Sequence, residues 1–328
     1  MKAYKLKFHS SFHLDSGTAV DGPSEFFIKS DTLFSAVCSA ANKFYGSQIV
    51  EAFLQPSAII LSSAFPYLNE ELFFPKPLNY YPHIDDYEMI KEFKKIKFLS
   101  KDYLELILQG DEELSQFIKK DFILNGCWKK KKVENDDLIF MTNENPHIVV
   151  DRITNSTQIF YKTEVYFAKD AGLFFLASIN ENLLPKFETV LRFLGDEGVG
   201  ADRTTGKGLF EVEEITDFSI RPAANANSFY SLSLYFPTRE EFDTILPKES
   251  FYDLEIRKGW VSKSTIRRKA LRMFTEGSVI KTISSIPPLG SIQKVLSKKD
   301  FPEDLETDIF RNGQALFIPA SGGANGSS

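Results

Sequence analysis

The chain has 328 residues, a formal net charge of −6 and 43% hydrophobic residues. This length and apolar content suffice for two folded domains, and the negative charge argues against a protein that coats nucleic acid without specificity. No apolar run approaches the length of a membrane span and no signal-peptide pattern opens the chain, so we expect a cytoplasmic protein without membrane contact.

The first nine residues alternate between apolar and polar side chains, which predicts a β-strand with one buried face. The other face of this strand is basic and consists of Lys5, Lys7 and His9. Two uses of this basic face fit the pattern, namely contact with RNA phosphates and plain exposure to solvent.

A helix is predicted next, with Ser30 as its cap, one apolar stripe and Gly46 as its stop. Asp31 falls in the first turn, where a carboxylate complements the helix dipole. A strand is predicted at residues 58–65. The segment from about 66 to 146, which contains the lysine run 129–132, is interpreted as an insertion outside the core, and the run as a solvated one and only a weak RNA candidate.

From residue 147 onwards the pattern returns to short strands. A projecting hairpin is predicted at about 147–163, and a second hairpin joins residues 164–168 to 173–179. A helix at 183–194 and a strand at 209–212 follow. Without the insertion, we interpret the order as strand, helix, strand, strand, helix, strand, which is the ferredoxin-like arrangement.

The loop at 195–208 is rich in glycine, hydroxyl groups and cations. Glycine permits positive φ and close backbone approach, while N–H groups, hydroxyls and cations can bind anionic oxygen. Its candidate RNA contacts are Gly198, Gly200, Arg203, Thr204, Thr205, Gly206, Lys207 and Gly208. A turn that merely joins two elements is the alternative. A Walker loop is excluded because five residues separate Gly200 from Gly206, glycine follows Lys207, and the loop runs from helix to strand.

A second unit is predicted at residues 228–319, after a linker at 225–227. It starts with an alternating strand and a capping box at Thr238 and Glu241, and further strands are predicted at 251–256, 271–275 and 314–318. No second helix is evident. The tail at 320–328 is rich in glycine and serine and is predicted to be flexible.

Residues 257–272 contain seven cations and no acid. Single-stranded RNA needs cations for its phosphates and flat side chains for its bases. The candidate RNA contacts in this segment are Trp260, Lys263, Arg267, Arg268 and Lys269. A strand edge protected by cations is the alternative explanation.

Four segments make the chain similar to a known family. They are SDTLFSA at 30–36, VDRIT at 150–154 leading to IF at 159–160 and EV at 164–165, the glycine loop, and RNGQA at 311–315. With them the chain resembles the RAMP superfamily of CRISPR effector proteins, and within it the subunit of type III-A (Csm) complexes that holds the 5′ handle of the CRISPR RNA (crRNA).

The resemblance implies an α+β fold of two ferredoxin-like (RRM-like) domains, at 1–224 and 228–319, with the hairpin at about 147–163 as a thumb that kinks the crRNA. It also implies a non-catalytic role in antiviral defence, with the crRNA, the backbone RAMP subunit and the large polymerase-like subunit as partners. Ser30 and Arg152, which lie in the matching segments, join the candidate RNA contacts.

Two other functions stay open at this point. Relatives in the same superfamily cut repeat RNA without metal, and His9 and His13 are the histidines available for such chemistry here. A subunit that contacts only proteins is the other alternative. Cys38 and Cys127 lack metal-ligand spacing and are predicted to be free thiols, and we expect neither a metal nor a cofactor.

Overall fold

The computed structural model describes residues 1–14, 26–110, 114, 117–224, 226–261, 266–301, 305 and 307–321. The α-helices of these residues are α1 (Ser30–Tyr45), α2 (Ser47–Phe53), α3 (Tyr87–Lys95), α4 (Lys101–Gln109), α5 (Leu184–Glu197) and α6 (Arg239–Thr244). The strands up to the glycine loop are β1 (Lys2–Phe8), β2 (Ile59–Leu61), β3 (Phe65–Leu68), β4 (Glu71–Pro75), β5 (Phe98–Ser100), β6 (Ile123–Leu124), β7 (Cys127–Trp128), β8 (Phe140–Val150), β9 (Thr157–Phe167) and β10 (Ala171–Ile179). The later strands are β11 (Phe210–Ile215), β12 (Ser228–Ser231), β13 (Leu254–Arg257), β14 (Leu271–Phe274), β15 (Val279–Lys281), β16 (Ile292–Leu296), β17 (Ile309–Asn312) and β18 (Phe317–Ala320).

The predicted α+β class is confirmed, and the first sheet contains the predicted strand order. β1 lies between β11 and β10, β10 also pairs with β2, and all these pairs are antiparallel. The order β11-β1-β10-β2 is that of a ferredoxin-like sheet. The helices α1 and α5 cover one face, where Leu33, Val37 and Leu191 pack on Leu6 and Phe175.

The segment at 66–146 is part of the core, which corrects the prediction of an insertion outside it. β3 pairs with β10, and the strands β4, β5, β7 and β6 extend the same sheet to nine strands. Phe74, Leu104 and Trp128 of this segment share one buried cluster with Tyr230 and Ile318 of the C-terminal half. The segment therefore fills the space between the first sheet and the C-terminal half.

The thumb hairpin is longer than predicted, and the second predicted hairpin is wrong. β8 and β9 pair in continuous register from Phe140↔Phe167 to Val150↔Thr157. Both sides of β10 are occupied by β1 and by β2 with β3, so β9 finds its partner in β8. Residues 164–168, which were expected to pair with 173–179, thus form the base of the thumb.

The C-terminal half is built on a small sheet in the order β15-β12-β18 and two hairpins, β13-β14 and β16-β17. Thr238 and Glu241 form the predicted capping box of α6, the one α-helix in the described part of this half. The last strand lies three residues beyond the predicted start at 314. Ala320, predicted to begin the flexible tail, is instead buried and pairs with Ser228, and residues 322–328 lie outside the described part.

Across the described residues, no helix combines the length and the apolar character needed to cross a bilayer. Cys38 and Cys127 are free, as predicted. No group of three or more metal-binding side chains occurs in the part of the chain that the structure describes.

Candidate nucleic-acid interface

The glycine loop, the base of the thumb and the segment after β1 meet at one end of the first sheet. The backbone N–H of Gly208 donates to the Ser11 carbonyl at 2.8 Å. Phe12 and Val165 of the thumb base exchange two backbone hydrogen bonds, at 3.0 and 2.9 Å. His13 completes the junction, because its carbonyl accepts from the Ala201 N–H at 3.0 Å and its Nδ1 lies 2.7 Å from the Thr163 carbonyl.

Glycine is required in this loop by the close approach of other backbone atoms. Gly208 has a φ of +73°, and a Cβ there would lie 1.9 Å from the Val199 carbonyl oxygen. Gly200 has a φ of +92°, and its Cβ would lie 2.6 Å from the His13 carbonyl oxygen. Gly206, at a φ of +80°, faces open space. Packing against the junction therefore fixes the shape of the loop.

Lys207, a predicted RNA contact, forms an ion pair with the buried carboxylate of Glu164 at the thumb base. Glu164 also accepts hydrogen bonds from the Ser11 hydroxyl at 2.8 Å and the Tyr166 hydroxyl at 3.0 Å. Burial raises the pKa of Glu164, but these hydrogen bonds outweigh it and lower the pKa to about 2. Lys207 thus joins the loop to the thumb.

Arg203, Thr204 and Thr205 form a 3-10 turn at the tip of the loop. Thr205 donates its hydroxyl to the Asp202 carbonyl at 2.7 Å, while Thr204 is exposed. Asp202 in turn pairs with Lys162 of the thumb at 2.7 Å. Within the described residues Arg203 has no ion-pair partner, so its guanidinium is the cation of this loop that is available to an anion.

Lys5 does not lie on an open basic face, which corrects the prediction for the first strand. Its side chain is buried, with 4% of its surface exposed. The ammonium donates to the Asn69 carbonyl and to Glu70, each at 3.1 Å, and lies 5.1 Å from the centre of the Tyr67 ring. Asn69 and Glu70 form the turn between β3 and β4, so Lys5 binds β1 to this extension of the sheet.

The other two side chains of the predicted basic face are matched by the neighbouring strand. Lys7 pairs with Glu213, and His9 lies 3.5 Å from Glu211. β11 thus places carboxylates directly beside β1, which neutralises most of the positive charge there.

The thumb presents apolar side chains to solvent along most of its length. Ile148, Ile159 and Tyr161 are more than half exposed, and Ile153 at the tip is 93% exposed. Arg152, a predicted RNA contact, is also at the tip and is exposed. An exposed apolar wedge with a cation at its end is suited to unstacked bases and their phosphates.

Asp31 joins the two halves of the chain through arginines of the C-terminal half. Its carboxylate is buried and accepts from Arg257 Nε at 3.1 Å, from Arg257 Nη2 at 3.0 Å and from Arg311 Nη1. Burial raises the pKa of Asp31, but the charges and hydrogen bonds of the two arginines outweigh it and hold the pKa below its usual value. Asp31 therefore does more than complement the helix dipole.

Ser30 is buried, which contradicts its assignment as a helix cap and argues against a direct RNA contact. The N-cap position of α1 is Lys29, and Ser30 is the first helical residue. The Ser30 hydroxyl accepts from the Leu234 N–H at 3.0 Å, and its N–H donates to the Ser63 hydroxyl at 2.8 Å. Ser30 thus binds the start of α1 to the C-terminal half.

The described parts of the basic segment at 257–272, residues 257–261 and 266–272, pair as a hairpin that continues past the ends of β13 and β14. Trp260 and Arg267 face each other as a bridge pair, and the guanidinium lies 4.4 Å from the centre of the indole ring. Trp260 is 51% exposed, and Lys269 is exposed as well. Arg268 is half-buried, and the prediction for Lys263 lies outside the described residues.

The glycine loop and this hairpin are linked by a continuous series of contacts. Val165 and Phe140 both belong to the thumb base, and the Phe26 ring stacks on Phe140 with centroids 4.4 Å apart. Phe26 precedes α1, whose Asp31 binds Arg257 at the base of the hairpin. The thumb base and the start of α1 therefore connect the two basic regions.

Arg311 is the residue of this region that the candidate contacts omitted. It was part of the RNGQA segment, which signalled the family, but nothing in the local sequence indicates that its partner lies 280 residues away. The first and last family segments are thus in direct contact through Asp31 and Arg311.

Comparison with known proteins agrees with this arrangement. The model of the RAMP superfamily matches residues 5–211, and that of the CRISPR Csm4 C-terminal domain matches residues 224–320. The chain belongs to the RAMP superfamily, and within it to the Csm4 family. Csm4 is a subunit of the type III-A CRISPR Csm complex.

Two relatives illustrate the sequence similarity. The chain is 28% identical over 278 residues to the CRISPR system Cms protein Csm4 of Thermococcus onnurineus (strain NA1). This alignment covers 79% of the present chain and 84% of the relative. It is 23% identical over 381 residues to the protein of the same name from Methanocaldococcus jannaschii, with 97% of each chain covered.

Solved Csm4 structures share the fold over nearly the whole chain. A chain of the Csm3-Csm4 subcomplex in the type III-A CRISPR-Cas interference complex matches with a TM-score of 0.66 and 19% identity, covering 97% of this chain and 99% of that one. A chain of the Csm1-Csm4 cassette in complex with pppApA matches with a TM-score of 0.63 and 21% identity, covering 98% and 97%.

Proposed function

We propose that this Csm4 chain is a non-catalytic cytoplasmic subunit that binds the 5′ handle of the crRNA. In this role it caps the filament of backbone RAMP subunits and links that filament to the large polymerase-like subunit. Three observations carry the proposal: Arg203 without an ion-pair partner in the described residues, the exposed apolar thumb next to its loop, and the exposed Trp260–Arg267 pair. Cations for phosphates and flat or apolar surfaces for bases are what single-stranded RNA requires.

The thumb supports a role at the junction between handle and guide. Its exposed isoleucines and Tyr161 have no core to fill and can separate stacked bases. The Lys207–Glu164 and Lys162–Asp202 pairs hold the thumb against the glycine loop, so a strand bound at Arg203 meets the thumb at a defined angle.

The solved relatives support the proposed protein partners. They were determined as a Csm3-Csm4 subcomplex and as a Csm1-Csm4 cassette. The C-terminal half keeps large apolar side chains on its surface, which is typical of protein interfaces. Examples are Phe242, Ile283 and Ile286, each at least 60% exposed.

The non-catalytic assignment is supported by how the histidines near β1 are held. His9 lies beside Glu211 of β11, whereas His13 contacts the Thr163 carbonyl of the thumb. These contacts draw the two rings to different strands, while a metal-independent nuclease needs its acid and base at one ribose. The test is incubation of the chain with labelled repeat RNA, where cleavage abolished by His13→Ala would contradict the assignment.

We also propose that both halves derive from a ferredoxin-like plan. The order β11-β1-β10-β2 supports it in the first half. In the second half, the three strands around β12 and the single helix α6 form a reduced version of the same arrangement.

The decisive experiment is to purify the tagged chain from cells that carry its neighbouring genes and to sequence the 5′ ends of the RNA that comes with it. We expect uniform ends within the repeat, and a large loss of RNA on Arg203→Ala combined with Arg152→Ala. Arg192→Ala on α5 removes an exposed arginine elsewhere and serves as the control. Random RNA ends, or equal losses in the control, would overturn the proposal.

A further inference from the structure

Three guanidinium groups gather around the single carboxylate of Asp31. Arg257 binds both of its oxygens, and Arg311 binds one of them from the other side. The third arginine is Arg268, whose backbone N–H binds the Gly259 carbonyl, next to the Lys258 carbonyl that accepts from Arg311 Nη2 at 3.4 Å. Glu255 does not supply the missing charge, since it pairs with Arg257 and with Lys29.

Arg268 has no carboxylate partner among the residues that the structure describes. Its Nε is buried without a hydrogen-bond acceptor, and so is the Nε of Arg311, a residue with only 5% of its surface exposed. Burial and the positive charges of Arg311 and Arg257 lower the pKa of Arg268. A half-buried guanidinium in this position lacks the anion that would compensate for its desolvation.

The hairpin geometry places Arg268 next to a surface suited to nucleic-acid bases. Its N–H donates to the Gly259 carbonyl at 2.9 Å. Gly259 and Arg268 are the sequence neighbours of Trp260 and Arg267, which form the bridge pair. Successive side chains of a strand point to opposite faces. Arg267 therefore covers the indole on one face, while Arg268 points towards Arg311 on the other.

We infer that Arg268, with Arg311 behind it, binds one phosphate group of a single-stranded RNA that crosses the edge of this hairpin. RNA is favoured over an acidic protein segment because the exposed Trp260 lies on the other face of the same hairpin edge, where a strand that crosses this edge meets it, and an aromatic face serves a base rather than a carboxylate. The inference rests on the proposed function, to which it adds a phosphate position separate from the glycine loop.

The first test measures binding of fluorescein-labelled ten-nucleotide oligo(U) RNA to the full chain by anisotropy at several salt concentrations. Loss of one phosphate contact on a single strand lowers the slope of log K against log salt by about 0.7. We expect Arg268→Gln to reduce affinity about tenfold and to lower the slope by that amount. Arg268→Lys keeps the charge and should lose less.

Arg272→Gln is the matched control, because Arg272 is an exposed arginine of the same hairpin outside the Asp31 cluster. Equal losses of RNA affinity in the two glutamine variants would mean that the hairpin attracts RNA through its overall positive charge rather than through a site at Arg268. That result would overturn the inference. Thermal unfolding midpoints of all three variants are compared with the parent chain, and Arg268→Lys provides the test if Arg268→Gln unfolds.

A second test locates the phosphate. A set of the same RNAs, each with one neutral methylphosphonate linkage, should show one position where neutralisation weakens binding to the parent chain but no longer matters in Arg268→Gln. Absence of such coupling at every position would overturn the inference.

The outcomes separate this inference from the proposed function. If the parent chain binds no RNA, the proposed function fails. If Arg268→Gln binds RNA like the parent chain while Arg203→Ala binds weakly, the function stands and the phosphate site fails. If Arg268→Gln keeps RNA binding but loses a co-purifying subunit, the anion is a protein carboxylate and the inference is wrong.

Discussion

The glycine loop at 195–208 and the hairpin at 257–272 are both basic, but they are held in different ways. In each, the cation nearest the core is taken by a buried carboxylate, Lys207 by Glu164 and Arg257 by Asp31. The cations farther out, Arg203 and Arg267, lack a carboxylate partner in the described residues. The loop owes its shape to backbone packing, whereas the hairpin depends on buried charge. Each basic segment therefore contains cations that anchor it to the core and cations that are available to bind an external anion.

The largest expected effect is the loss of the anchor of the hairpin. Asp31→Asn leaves the buried Arg311 without its counter-charge and Arg257 with Glu255 alone, and breaking a buried ion pair from one side costs about 3–5 kcal/mol. We expect a loss of that order in the free energy of unfolding, measured by denaturant titration. Asp243→Asn, at an exposed position on α6, should change it little. Similar stability of the two variants would show that the hairpin is not held by charge.

The corresponding change in the glycine loop acts on the backbone. Gly208→Ala puts a Cβ 1.9 Å from the Val199 carbonyl at a φ of +73°, so we expect backbone strain and steric overlap to cost about 2–4 kcal/mol in total. Gly206→Ala is the matched control, since its φ is +80° but its surroundings are open, and it should cost only about 1 kcal/mol. Equal thermal unfolding midpoints would contradict the role of packing.

Glu164→Gln tests the carboxylate that anchors the loop. Hydrogen bonds to a charged group contribute about 1.5–3 kcal/mol, so we expect a loss of about 2 kcal/mol at pH 7. The pKa of Glu164 is lowered from 4.5 to about 2 in the folded chain. Its contribution is therefore complete above pH 4.5 and is lost as the pH falls towards 2. The stability difference between the parent and Glu164→Gln should shrink over that range, and Glu144→Gln, exposed on the opposite strand of the thumb, should show no such trend.

The smallest effect distinguishes the two cations of the loop. Arg203→Ala should weaken oligo(U) binding several-fold and lower the salt slope by about 0.7, without a change in the thermal unfolding midpoint. Lys207→Ala should lower that midpoint, because it leaves Glu164 buried without its cation, and should change RNA affinity less. The reverse pattern would show that Lys207 is the available cation.

The sequence predicted what local pattern determines. The strand order of the first sheet, the capping box at Thr238 and Glu241 and the glycine loop all follow from periodicity and short-range chemistry. The errors came from distant partners. The alternation of β1 cannot reveal that Glu70 binds Lys5. The apolar pattern at 164–168 predicts a strand, but it does not indicate whether β8 or β10 is the partner of that strand.

The predictions for the candidate site show the same contrast between local sequence signals and distant partners. Counting cations found Arg203, Arg267 and Arg268, but it could not tell them from Lys207 and Lys5, whose partners lie on other elements. Ser30 matched a family segment and was assigned to RNA, although it is buried between the halves of the chain.

The separation of Asp31 from its partners has a consequence for synthesis on the ribosome. Arg311 is made 280 residues after Asp31, which at typical elongation rates of 5–20 residues per second is a wait of about 15–55 s. Leu234 follows Ser30 by 204 residues and Arg257 follows Asp31 by 226, so for most of that time the start of α1 lacks the N–H that binds Ser30 and the side chains that neutralise Asp31. The N-terminal half therefore cannot complete its own packing as it emerges, and a nascent chain stalled before residue 311 should remain sensitive to protease near α1.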